Sequence, residues 1–78
     1  MENNYKIINY NNNQQYLLQF NEESDYQFNK RIEFINKLNQ LNINWNNALN
    51  LSKIWYSITF KKCKYNNDIY NYIKKIDN

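Results

Sequence analysis

The chain of 78 residues contains no glycine, no proline, no histidine and no valine, one cysteine and a single arginine. Each absence excludes something. Without histidine there is no imidazole to act as a general base or to ligate a metal. Without glycine there is no phosphate-cradling loop of the usual kind. No Asn-Gly or Gly-based hairpin turn occurs, and no long run alternates apolar with polar residues, so strand signals are weak. A lone Cys63 cannot close an internal disulfide, and its flanks match no metal-site spacing, so a reducing compartment is the simpler setting. Set between lysines, its thiol is read as half-buried and structural, not catalytic. No apolar run approaches the length of a membrane span. The opening MENNYKIINYNNNQQ lacks the apolar core of a signal peptide. The expectation is a protein that is not an enzyme and uses no cofactor or metal.

What is present is equally skewed. Asparagine makes up about a quarter of the chain, with Lys, Ile and Tyr abundant. These residues have AT-rich codons, so most of the asparagines need no functional explanation. Seventy-eight residues make one domain at most. Such a chain buries only about 60% of the surface its unfolded form exposes. An aromatic content of 18% lets a small core form, because each ring covers a large area. The net charge of +3 is unevenly spread. Residues 1–49 carry four positive and five negative charges, residues 50–78 six positive and two negative. The basic C-terminal third suits an acidic protein or a nucleic acid.

Taken in order, residues 1–15 read as a low-complexity, Asn-rich N-terminal extension, a mobile tail unless Tyr5, Ile7 and Ile8 pack as an extended strand. Residues 16–20, YLLQF, dock on the rest as a short helical turn or an extended arm. A helix is predicted from Asp25 to Gln40. Ser24 and Gln27 form a capping box, and Phe28, Ile32, Ile35 and Leu38 form one apolar stripe. Lys30, Arg31, Glu33 and Lys37 should be mostly solvated, and Glu22, Glu23 and Asp25 are read as an acidic complement to the helix dipole. After a connection at 39–44, a second helix runs from Trp45 to Lys62, capped by Asn44. It is apolar over more than half of its cylinder, which suits the middle of a bundle or a helix bearing a partner surface. A third helix runs from Asp68 to Ile76 on a stripe of Ile69, Ile73 and Ile76, capped by Asn66 or Asn67. The expected fold is all-α, a small single-domain bundle of three main helices over residues 16–78. Phe28, Ile32, Ile35, Leu51, Trp55, Ile58, Ile69 and Ile73 should supply most of its core.

Two blocks carry a resemblance. The first is Glu23-Ser24-Asp25-Tyr26-Gln27-Phe28-Asn29-Lys30-Arg31-Ile32-Glu33-Phe34. The second is Leu51-Ser52-Lys53-Ile54-Trp55-Tyr56-Ser57-Ile58-Thr59-Phe60-Lys61-Lys62-Cys63-Lys64-Tyr65. Together, over about residues 16–78, they resemble the XRN-two-binding domain (XTBD) family of small helical modules. The Leu-Ser pair, Ile-Trp, Phe60 and the Cys-basic-Tyr run fall in register. The chain departs from the pattern at several positions. Ser57 stands for Asn, Lys62 for Gly, Asn66 for Pro, Phe28 for Trp, and Ile32 for one of two paired basics. If the family turn needs a positive φ at Lys62, lysine costs energy there that glycine does not.

The resemblance implies an adaptor for a nuclear 5′-to-3′ exoribonuclease of the Xrn type, located in the nucleus, monomeric within a hetero-complex and stabilising or tethering the nuclease. Its implied anchor is Tyr65, the tyrosine of the Cys-basic-Tyr run, since tyrosine and tryptophan are typical interface hot spots. Trp55, Tyr56 and Phe60 are secondary candidates, for which ordinary core packing is at least as good a reading. Lys61, Lys62 and Lys64 would form a charged rim. A second reading of the same residues comes from composition alone. Lysines interleaved with Tyr65, Tyr70 and Tyr72 suit a small basic nucleic-acid-binding domain, although the scarcity of arginine weakens it.

Overall fold

The structure, a computed structural model, describes residues 4–78. It contains a β-hairpin followed by three helices. The strands are β1 (Tyr5–Tyr10) and β2 (Asn13–Leu18), and the helices are α1 (Asp25–Gln40), α2 (Trp45–Phe60) and α3 (Asn67–Asp77). The fold is therefore a small mixed α/β domain, and the all-α expectation is corrected by a two-stranded antiparallel sheet.

The hairpin lies where a tail and an arm were expected. Its turn is Asn11-Asn12, both at positive φ (53° and 66°), the backbone of a two-residue hairpin turn whose twist matches that of the strands. Asparagine enters the left-handed region more readily than other non-glycine residues, so a chain without glycine still closes a tight hairpin. The register pairs Tyr5 with Leu18, Ile7 with Tyr16 and Tyr10 with Asn13. One face, with Ile8, Tyr10 and Leu17, packs into the core. Tyr10 is buried against the Trp45 ring at 5.1 Å, and its hydroxyl donates to the Ile43 carbonyl. Burial pushes that hydroxyl's pKa above its ordinary value. The Asn11 amide donates to Asn39 Oδ1 at 3.1 Å, and Lys6 Nζ to Asn29 Oδ1 at 2.6 Å, so the hairpin lies along α1.

The helices form as their local signals require. At Ser24 both halves of the capping box are present. Asn44 and Asn66 each accept from the amide three residues on, which satisfies otherwise orphaned donors of α2 and α3. α1 ends at Gln40 with Leu41 as its C-cap, Asn42 at φ 60° and the Ile43 amide bonded back to the Leu38 carbonyl, a left-handed stop. α2 ends two residues earlier than predicted, at Phe60.

Around this frame the core gathers Tyr10, Leu17, Phe28, Phe34, Ile35, Leu38, Ala48, Trp55, Tyr56, Ile58 and Ile73. Ile32, Leu51 and Ile69 pack at its margin as half-buried side chains. Phe34 and Trp55 stack at 5.2 Å with their planes 14° apart, which joins α1 to α2.

Arg31, expected in solvent, is instead 1% exposed, the largest fully buried side chain in the core. Its Nε and one terminal nitrogen donate to the two oxygens of Glu23 at 2.7 and 2.9 Å. The same terminal nitrogen donates to the Leu18 carbonyl at 2.6 Å. Glu23 is buried too, and its Oε1 also accepts from the Phe20 amide at 3.0 Å. Glu23 is thus an ion-pair partner where a helix-dipole complement was expected. The Arg31 guanidinium lies 3.9 Å from the Phe20 ring centroid and 5.3 Å from that of Phe28. Carrying a paired charge between two rings, Arg31 ties the end of β2, the β2–α1 connection and α1 together.

The candidate interaction surface at the α2–α3 corner

Four aromatic and three basic side chains were expected to form one partner surface. The fold divides them. Trp55 and Tyr56 are buried, and Phe60 is half-buried. Trp55 lies between Phe34 and Phe60, the latter edge-on at 5.5 Å. Tyr56 meets Phe20 at 5.1 Å and Phe60 at 5.6 Å. Burial raises the Tyr56 hydroxyl's pKa, with the carboxylates of Glu22 and Glu23 adding to the effect. These three rings form the wall against which α1 and the β2–α1 connection close. The spread of apolar residues around most of α2 is the signature of a helix packed on several sides.

The other four candidates lie together, in the connection from the end of α2 to the start of α3. Lys61, Lys62, Cys63, Lys64, Tyr65 and Asn66 are all exposed. Lys61 is the C-cap of α2, and its ammonium meets Glu22 Oε1 at 3.1 Å. The Glu22 carboxyl is held below its usual range, first by its own backbone amide and then by Lys61, while the Lys61 ammonium is held above its usual range by Glu22. Lys62 stands at φ 57°, in the left-handed region. That reversal turns the chain so that the Cys63 amide reaches the Ser57 carbonyl at 3.0 Å, closing off the end of the helix. Cys63 is therefore exposed, correcting its reading as half-buried.

Tyr65 follows one residue before the α3 cap and is 38% exposed. Tyr70 and Tyr72, on α3, are also well exposed, and Lys74 Nζ sits 5.7 Å from the Tyr70 ring. Chemically the corner offers hydrogen-bond donors, cations and one amphipathic ring on a backbone fixed by two helix ends. Such a surface can bind but has no general base of ordinary pKa near 7.

The structure adds functional-looking residues that were read as ordinary. Glu23 and Arg31 had one available signal: Arg31 falls on the same helical stripe as Phe28, Ile35 and Leu38, where a solvated side chain would be out of place. Compared with known families, characterised proteins and solved structures, the chain shows no match.

Proposed function

We propose that this domain is a non-enzymatic adaptor that binds a nuclear 5′-to-3′ exoribonuclease of the Xrn type and stabilises or tethers it, with the α2–α3 corner as its contact surface. The observation that carries this reading is the backbone at Lys62. The XTBD pattern has glycine at that position, and here a lysine occupies the left-handed conformation that glycine would adopt freely. A chain that keeps such a turn with an unfavourable residue retains a shape for the corner. Asn66, at the pattern's proline, serves as the N-cap of α3. The two blocks that carry the resemblance also pack on each other, through Phe34 against Trp55.

On this reading Trp55, Tyr56 and Phe60 act by holding the corner's shape, and Tyr65 is the anchor. Lys61, Lys62 and Lys64 form the rim and act mainly on association rate and salt response.

The test is a titration of purified nuclease with the parent chain and with Tyr65→Ala, using circular dichroism to verify folding. Tyr65→Ala should weaken binding by about 2 kcal/mol, or roughly thirtyfold, with the helices intact. Lys61→Ala and Lys64→Ala should do less. If Tyr65→Ala binds like the parent while the lysine variants lose affinity for single-stranded RNA in a steeply salt-dependent way, the corner is a nucleic-acid surface instead.

A further inference from the structure

The hairpin has two faces, and both are apolar. The inner one carries Ile8, Tyr10 and Leu17 into the core. The outer one follows from the register: Tyr5 opposite Leu18, Ile7 opposite Tyr16, and Asn9 opposite Gln14. Its four large side chains are 54%, 54%, 50% and 67% exposed for Tyr5, Leu18, Ile7 and Tyr16. Tyr5 and Tyr16 meet edge to face at 5.3 Å, so the patch is a continuous surface. At such exposures, with a tyrosine offering on the order of 150–250 Å², the four side chains present about 400–500 Å². That is within the usual range of the largest apolar patch on a typical monomer, a patch that is often functional.

Among the described residues the face itself carries no charge. Lys6, the only ionic residue in the hairpin strands, has its ammonium on Asn29 of α1. A nucleic acid needs cations beside its stacking rings, and among the described residues only Lys53 of α2 comes near, at the edge of the patch by Tyr16 and Leu18. The chain as a whole is at +3, with most of the excess in its last third. Two copies meeting through that third would bring lysines together. Through the outer hairpin face they meet without opposing ions. An isologous contact of this size buries about 800–1,000 Å² in total, the size of a weak, transient interface.

We infer that the outer face of the hairpin, Tyr5, Ile7, Tyr16 and Leu18, is a self-association surface through which two copies of the free chain form a weak two-fold dimer. The expectation of a single copy within a hetero-complex concerned the bound state and was made without this hairpin. The inference does not depend on the partner assigned to the α2–α3 corner.

Sedimentation equilibrium of the full chain, from about 10 µM to about 1 mM, should show a reversible monomer–dimer equilibrium. Tyr16→Lys, which adds a cation to a face outside the core, should weaken it roughly tenfold or more while leaving the circular dichroism spectrum unchanged. Ile7→Lys should do the same, which guards against a folding defect in either variant alone. Tyr72→Lys, on the exposed part of α3, should leave the equilibrium as it is. Added salt should hold or strengthen the dimer, because it screens repulsion between two +3 chains. A parent that stays monomeric to about 1 mM, or hairpin variants that dimerise like the parent, would overturn the inference.

Discussion

Two regions of this domain handle charge in opposite ways. Around Arg31 a guanidinium and a carboxylate are withdrawn from water and satisfied by two rings, a carbonyl and an amide. At the α2–α3 corner Lys61, Lys62 and Lys64 stand in solvent, and among the described residues only Lys61 of the three has an ionic partner. The first arrangement costs desolvation and must be complete to be tolerated. The second costs little and is free to meet another molecule. In a chain this small, charge taken inside marks architecture, and charge left outside is what a partner can use.

The contrast is sharpest under substitution. Arg31→Ala leaves Glu23 buried without its cation, and should destabilise the domain by about 3–5 kcal/mol. A marginal domain would lose much of its stability by that change. Urea denaturation measures it, and a loss below about 1 kcal/mol would place Arg31 among surface residues. Tyr65→Ala, by comparison, should shift stability by no more than about 0.5 kcal/mol, since its effect is on binding. Lys62→Gly should stabilise by about 1 kcal/mol, because it relieves a side chain held at positive φ. A melting temperature that falls instead would mean that lysine's side chain contributes contacts exceeding the backbone strain.

The smallest effect concerns Glu22 and Lys61. The folded Glu22 carboxyl is depressed below its ordinary value of 4.5. Its contribution is present above about pH 4.5 and fades as the pH falls through the lower folded value. Glu22→Gln should therefore be slightly less stable than the parent above about pH 4.5, the difference vanishing as the pH falls. Both side chains are about half exposed, so a large acid-dependent change from this variant would show that the pair is shielded from solvent in a way its exposure does not suggest.

The three helices were legible because their signals are local. Ser24 with Gln27, Asn44 and Asn66 each mark a start within three residues of sequence, and the stripe from Phe28 to Leu38 is periodic. The hairpin was hidden for two physical reasons. Its turn uses Asn11-Asn12 in place of an Asn-Gly pair, in a chain where asparagine is everywhere and so carries little information. Its strands do not alternate, because the outer face bears Tyr5, Ile7, Tyr16 and Leu18 as well as the inner face its own apolar set. Arg31 was misread because charge was taken as a guide to exposure, although its position on the stripe said otherwise. At the corner, exposure separated what residue type could not: Trp55 and Tyr56 belong to the core and Phe60 to its margin, while Tyr65 faces outward.

The asparagine turn has a kinetic consequence. With only Asn11 and Asn12 between the strands, the hairpin needs almost no chain closure, and the Glu23–Arg31 pair spans just eight residues. The longest reach among the side-chain bonds is Lys37 to the Asp77 carbonyl, which joins the first helix to the last across 40 positions. Lys61 to Glu22 and Tyr10 to the Ile43 carbonyl reach nearly as far, across 39 and 33 positions, while most contacts close over fewer than 12. Folding dominated by such short closures belongs to the microsecond-to-millisecond class. The chain can assemble its N-terminal half, ionic pair included, before the last helix has been made.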